Sequence, residues 1–291
     1  MGNGMNNSDY AQAGCGTLYV VATPIGNLDD ITLRALETLK CVDWIAAEDT
    51  RTTKGLLQHY AISRPTISLH EHNELERIEQ LAQRLQAGES GALVSDAGTP
   101  LINDPGFQLV KALRQMNLRV VPIPGASAVI SALCAAGLPT DRFSYEGFLP
   151  ARSSKRIQRL QGLEQDQRTL VFYESPHRIV DSLLDMSGVF GESRQLCLGR
   201  ELTKQFEQFI QGSFTEVIEF LQQTPEKVRG EFVVMVAGAQ ELDSEVVEYD
   251  ALLQTLLAQN LPVKQCSEIV AQYFGVKKKE VYQRALSLKN L

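Results

Sequence analysis

The stretch "ALVSDAGTPLINDPG" at residues 92–106 decides how this chain is read. It begins as an apolar run of strand length and ends in two aspartates, two prolines and two glycines. Continuous apolar strands belong to parallel sheets covered on both faces, and such sheets bind ligands beyond the carboxyl ends of their strands. Taken singly, a turn this crowded is an ordinary tight turn or a ligand edge, and several of them at one edge of the sheet favour the ligand. Asp96 and Asp104 each admit two roles, capping the helix expected from residue 106 or acting as a base, and capping suits Asp104 better.

Three more loops of the same make-up follow expected strands: "TPIGNLDD" at 23–30, "PGASA" at 124–128 and "YESPHR" at 173–178. Gly and Pro fix their turns and let a ligand approach the backbone closely. None is a G-x-G-x-x-G or a G-K-[ST] loop, so a dinucleotide or nucleoside triphosphate is poorly supported, while a neutral or cationic nucleoside stays open.

Around these loops the hydrophobic pattern alternates between strand-length apolar runs and helical periodicity. Strands are expected at 17–22, 44–47, 66–69, 92–95 and 119–122, with helices at 30–39, 52–60, 71–86 and 106–115 between them. This is an α/β pattern with a mainly parallel sheet. A helix at 126–136 opens a second unit, with strands at 143–147, 169–174, 195–199, 208–211 and 231–237 and helices at 154–163, 177–187 and 215–222. We expect a disordered tail over 1–16, an N-terminal α/β domain over 17–123 and a second α/β domain over 124–240. An acidic linker then leads to a helical segment over 249–291, formed by two short helices at 263–274 and 277–288.

Composition narrows the function classes. The chain has 291 residues and a net charge of −7, which argues against a protein coated in basic surface. Basic residues are local instead, at Lys277, Lys278 and Lys279 and around Arg152 to Arg159. No run approaches the roughly eighteen apolar residues of a membrane span. The five cysteines lack a C-x-x-C pair, which fits the cytoplasm and indicates neither disulfides nor zinc. "HEH" at 70–72 has no third ligand at metal spacing, so no metal is expected. "AEDTRTTK" at 47–54 sets Glu48 and Asp49 beside Arg51 and Lys54, which suits an ion-pair network as well as it suits catalysis.

The stretches "TPIGNLDDITLRAL", "AEDTR", "ALVSDAGTPLINDPG", "AAGLPTDRFSYEGFLP", "FYESPHR" and "RELTK", in this order, carry a resemblance. The chain resembles the tetrapyrrole-methylase-like superfamily of S-adenosylmethionine-dependent methyltransferases over about residues 17–239, and within it the ribosomal RNA branch. The tetrapyrrole branch usually has G-x-G-P-G-D in its first loop and G-D-P where this chain has Gly98-Thr99-Pro100; both departures point to the RNA branch. Where relatives often read D-T-R-H-T, Thr52 stands here, so no histidine at that position is essential.

The resemblance implies a two-domain tetrapyrrole-methylase-like α/β fold, with S-adenosyl-L-methionine in a cleft between the domains. On its alignment the cofactor meets Pro24, Thr99, Ile102, Ser127, Ala128 and Tyr173, with a late contact from the strand at 233–236. The implied reaction is methylation of the ribose 2′-hydroxyl of a cytidine in the decoding centre of 16S rRNA, within the small ribosomal subunit. Asp96 is the first candidate for the base, followed by Asp49 and Glu174. Arg51, Arg178, Arg200 and Lys204 are candidates for RNA phosphates, or for pairing with Glu48, Glu174 and Glu201; Lys277 to Lys279 lie on a helix-turn-helix-like tail. A cytoplasmic homodimer is expected, with no membrane or DNA partner. Methylation of a tetrapyrrole or a protein side chain, and non-catalytic RNA binding, are the competing readings.

Overall fold

The computed structural model of the chain describes residues 16–239, 244–259 and 261–289. The tail expected over residues 1–16 thus lies, up to residue 15, outside the described residues. In the first half, strands and helices alternate as β1 (Thr17–Val21), α1 (Leu33–Cys41), β2 (Trp44–Ala47), α2 (Thr50–His59), β3 (Thr66–Ser68), α3 (Glu74–Gln86), β4 (Gly91–Val94), α4 (Phe107–Gln115) and β5 (Arg119–Ile123). The five strands form one sheet in the order β3-β2-β4-β1-β5, with every pair parallel.

The apolar runs are continuous because both faces of this sheet are covered. Along β2, Trp44 and Ala46 join a core with Leu81 and Leu85 of α3 and Leu109 and Leu113 of α4. Ile45 and Ala47 face the other way, toward Ala35 and Leu39 of α1 and Leu57 of α2. A Cβ on Gly91 would sit 2.3 Å from the Trp44 ring, so the indole fits only because its neighbour on β4 has no side chain.

The second half contains α5 (Ala128–Ala135), β6 (Phe143–Phe148), α6 (Ser153–Gln161), β7 (Thr169–Glu174), α7 (Ile179–Phe190), β8 (Gln195–Arg200), β9 (Gln208–Ser213), α8 (Phe214–Gln223) and β10 (Phe232–Val236). Its sheet runs β6-β7-β10-β8-β9. Only β6 and β7 are parallel; β10 pairs antiparallel with both neighbours, and β8 with β9. The mainly parallel sheet expected of the first half is therefore not repeated in this one. Residues 201–207, which join β8 to β9, are too few for the crossover of about a dozen residues that a parallel pair needs. Helices α6, α7 and α8 cover one face, while α5 sets Val129, Ala132 and Leu133 against Val171, Val233 and Met235 on the other.

Helices α9 (Ser244–Ala258), α10 (Val263–Phe274) and α11 (Lys278–Lys289) belong to a separate compact unit, Gly238–Leu291. Tyr249, Leu253, Cys266, Val270, Val281 and Ala285 form its core. Two helices were expected, and a third is present. The acids of residues 241–250 hide its start, but Tyr249, Leu252, Leu253 and Leu256 recur at helical spacing and are all drawn into the core. Among the described residues no helix is long and apolar enough to cross a membrane.

Candidate active site

The loops that follow β1, β4 and β5 meet at the carboxyl edge of the first sheet. Thr23 and Gly98 exchange backbone hydrogen bonds of 2.9 and 3.0 Å, an isolated antiparallel bridge beyond a parallel sheet. The Thr99 hydroxyl donates to the Ala126 carbonyl at 3.0 Å and so joins the second loop to the third. Gly98 has φ +81°, a left-handed conformation that glycine adopts without steric cost.

The same loops reach the second half. Asn103 lies against Gly147 in the irregular part of β6. The Asn27 N–H donates to the Thr203 hydroxyl at 3.1 Å, and Gly26 lies close against Lys204 and Thr203.

A cavity of about 370 Å³ opens between the two halves. Five residues of the expected cofactor set line it: Thr99, Ile102, Ser127, Ala128 and Tyr173, as does Val233 of β10. Pro24 does not; with Asp96 it lines a neighbouring cavity of about 380 Å³ that shares Ile25 and Ala97 with the first. The sequence reading passed over Asn103 and Phe148, which also line the first cavity, as does Asp104, read there as a helix cap. Phe148 carried a signal, since it stands at the end of a strand in a quoted stretch and is 55% exposed although aromatic. Its ring meets Tyr173 edge-on with centroids 5.6 Å apart.

The carboxylates divide by environment. Asp49 caps α2 and is held down to about 2, chiefly by the Arg51 side chain at 2.7 Å. Asp96 accepts the Asp49 N–H at 3.0 Å through one oxygen. Glu174 is buried and saturated: Ser175 N–H (2.8 Å), the Ser182 hydroxyl (2.6 Å) and Arg178 (3.0 Å) all donate to it.

Asp104 does not cap α4. The first residue before that helix is Gly106, and Glu74 of α3 accepts the Leu109 N–H at 2.8 Å, doing from a distant helix what a capping side chain would do. Asp104 turns instead toward the cavity, where burial raises its carboxyl above the usual range, the Ser95 hydroxyl works the other way and Asp96 adds to the rise. Glu48 is raised as well, first by burial and then by Asp104. Burial also pushes up the hydroxyl of Tyr173 and that of Tyr145, whose ring lies 5.1 Å from it.

Of the expected phosphate-binding cations, Arg51 has a side chain 89% exposed. Arg178 pairs with Glu174 and donates to the Leu149 carbonyl. Arg200 is buried and spends its guanidinium on the Arg229 and Phe206 carbonyls. Lys204 bridges Glu201 (2.8 Å) and Glu231 (2.9 Å). In the C-terminal unit, Lys278 meets Glu268 at 2.8 Å, Lys277 lies 3.7 Å from Glu280, and Lys279 is exposed beside them.

Residues 17–218 match the family model described as Tetrapyrrole (Corrin/Porphyrin) Methylases. The chain belongs to the tetrapyrrole methylase family. Residues 243–289 match a second model, described as the RsmI C-terminal HTH domain. A "Ribosomal RNA small subunit methyltransferase I" from Haemophilus influenzae is 49% identical over 94% of this chain and 97% of its own. Its namesake from Escherichia coli O157:H7 is 50% identical over 97% and 99%. Among solved structures, the methyltransferase CobJ (19% identity, TM-score 0.57, covering 77% of this chain and 95% of that one) has the same fold. So has a uroporphyrin-III C-methyl transferase from Thermus thermophilus complexed with S-adenosyl homocysteine (18%, TM-score 0.51, 76% and 97%).

As a tetrapyrrole methylase, the chain takes its methyl group from S-adenosylmethionine. The residues present fit that group. Ile102, Phe148 and Val233 offer apolar surface for a nucleoside, and the Ser127 hydroxyl makes no capping bond to α5 and stays available. Asp104 adds a carboxylate that pairs with no cation among the described residues, which suits a ligand whose sulfonium and ammonium outweigh its one carboxylate.

Proposed function

We propose that this chain methylates the ribose 2′-hydroxyl of a cytidine in the decoding centre of 16S rRNA, acting on the small ribosomal subunit. The observation that carries the reading is near-50% identity, over almost the whole of both chains, to proteins named ribosomal RNA small subunit methyltransferase I. Bound in the cleft, S-adenosylmethionine supplies an electrophilic methyl on its sulfonium. The chain's own work is to hold the hydroxyl in line, exclude water and take one proton.

Thr99, Ile102, Ser127, Ala128 and Tyr173 hold the cofactor, with Pro24 shaping the first loop from the adjoining side. Asp96 takes the proton. Asp49 holds Arg51 at the start of α2, and Glu174 fixes the "YESPHR" loop. Arg51 and Lys277 to Lys279 meet RNA phosphates, while Arg178, Arg200 and Lys204 brace the loops around the cleft. The two halves act as domains divided near Pro124, and the enzyme works as a cytoplasmic homodimer.

The test is transfer to small subunits from cells lacking the protein, followed by mapping of 2′-O-methylated nucleotides in the 16S rRNA. One new 2′-O-methylcytidine is expected. Treated subunits without any new 2′-O-methyl group would end the proposal.

A further inference from the structure

Methyl transfer sets sulfur, carbon and oxygen in one line, so the acceptor must enter the same cavity as the donor. That cleft has a buried end at Val233 and a rim at Ile102, Asn103 and Phe148, all three exposed. We propose that the rim is the acceptor subsite, where Phe148 stacks on the base of one unpaired nucleotide of the RNA and the Asn103 amide bonds the edge of that base. The assignment rests on the RNA-methylase reading above.

One glycine places both side chains. Gly147, with φ +68°, sits at the register shift between β6 and β7, and an irregularity of this kind re-aims the side chains of its strand. The next residue is Phe148, 55% exposed at the strand end. A Cβ on Gly147 would stand 3.0 Å from Asn103 Oδ1, so the missing side chain also seats the Asn103 amide against the strand that carries Phe148. Asn103 itself has φ +70° and Leu101 has φ +74°, two left-handed residues in the loop that lays Ile102, Asn103 and Asp104 along the cavity. Such backbone outliers cluster at ligand clamps.

Position sets this ring apart from the others on the surface. Of the exposed Phe107, Phe143, Phe148 and Phe206, only Phe148 lines either cavity. Tyr173 meets it in a T-shaped contact, which occupies at most one face of a ring, so a flat partner can lie on the other. The polar groups of the cleft sort in the same way. Thr99 donates to the Ala126 carbonyl, Glu174 is saturated and Glu231 is paired with Lys204, whereas the Asn103 amide makes no hydrogen bond with the described residues. It offers a donor and an acceptor side by side, as a base edge does. RNA is recognised through splayed bases that stack on aromatic rings and are hydrogen-bonded along their edges. Asp104, the next residue in the chain, is the carboxylate suited to the sulfonium, so a base held at Asn103 brings its own ribose toward the methyl within one cavity.

The test uses the full chain with Phe148→Ala, Phe148→Leu, Phe148→Tyr and Asn103→Gly, the last chosen because glycine accepts the left-handed backbone. Thermal midpoint, S-adenosylhomocysteine affinity by calorimetry, small-subunit affinity across a salt series and the methyl-transfer rate at saturating subunits are measured for each. All four should melt like wild type and bind S-adenosylhomocysteine within about twofold of it. Subunit affinity and its salt slope should hold too, because phosphate contacts carry them. The saturated rate should fall about 10–100-fold in Phe148→Ala, the range of one lost base–aromatic stack. Phe148→Leu, apolar but without a flat ring, should stay as low, and Phe148→Tyr should recover most of the rate. Asn103→Gly should lose about tenfold. Phe148→Ala or Asn103→Gly at the wild-type rate overturns the assignment. So does Phe148→Leu matching Phe148→Tyr, since bulk alone would then suffice. A parallel loss of S-adenosylhomocysteine binding overturns it as well, because both side chains would then belong to the cofactor. A wild-type protein that binds S-adenosylhomocysteine and leaves subunits unmethylated removes the RNA-methylase reading, and this subsite with it.

Discussion

Ser182 on α7 donates its hydroxyl to Glu174 at the end of β7, 2.6 Å away, and both side chains are buried. With Ser175 and Arg178 also donating, this carboxylate ties a strand, a loop and a helix together. Glu174→Gln turns an amide N–H donor toward donors that already point at it and leaves Arg178 without its counter-charge. Unfolding by urea should show a loss of about 2–4 kcal/mol. Unchanged stability with lost turnover would move Glu174 from the frame to the chemistry.

Asp96→Asn keeps the oxygen that accepts the Asp49 N–H and removes the proton acceptor. Turnover on subunits should fall by about 10²–10⁴-fold, the usual range for a lost general base. Cofactor affinity should stay within twofold by calorimetry. If both fall together, Asp96 shapes the loop instead.

Asp104 has a pH signature. Burial raises its carboxyl above the ordinary 3.8, so the folded chain holds this proton to higher pH than the unfolded chain does. The folded state is then most favoured below 3.8 and loses stability as pH rises through the raised value. Asp104→Asn should therefore raise the melting temperature of the cofactor-free protein at neutral pH, with the gain vanishing in acid. The same change should weaken S-adenosylmethionine, on the order of tenfold, more than it weakens neutral-sulfur S-adenosylhomocysteine. Equal weakening of the two ligands would remove the charge argument.

Replacing Lys277, Lys278 and Lys279 by alanine tests the C-terminal unit. Subunit affinity should drop, and its dependence on salt should become shallower by roughly 0.7–0.9 for each phosphate no longer neutralised. The rate at saturating subunits should be unchanged. An unaltered salt slope would take these lysines off the RNA.

Legibility followed the range of the interactions. The strand at 44–47 was read to the residue because it is a short apolar run that ends at charged neighbours. The site loops were legible from Gly and Pro, which act on their own backbone. Strand direction was not, since hydrophobicity is the same in either sense; the antiparallel β10 could not be told from a parallel strand. Asp104 was misread because a local rule, aspartate before a helix, competes with Glu74, which is 35 residues away in sequence from the N–H it accepts. Arg200 looked like a phosphate ligand because its two carbonyl partners come from separate segments of the folded chain.

The position of β10 affects synthesis as well as structure. The first sheet has all its strands once residue 123 has been made, whereas the second lacks its middle member until residue 236. A chain emerging from the ribosome can therefore complete one layer while β7 and β8 have no strand to lie between them. Because Val233 also lines the cleft, the binding wall for S-adenosylmethionine is complete only once residue 233 has been made. A ligand stabilises only the state that binds it, so S-adenosylmethionine favours the folded chain only from that point on. A stop codon a few residues before 232 should yield an aggregation-prone product that no amount of ligand rescues.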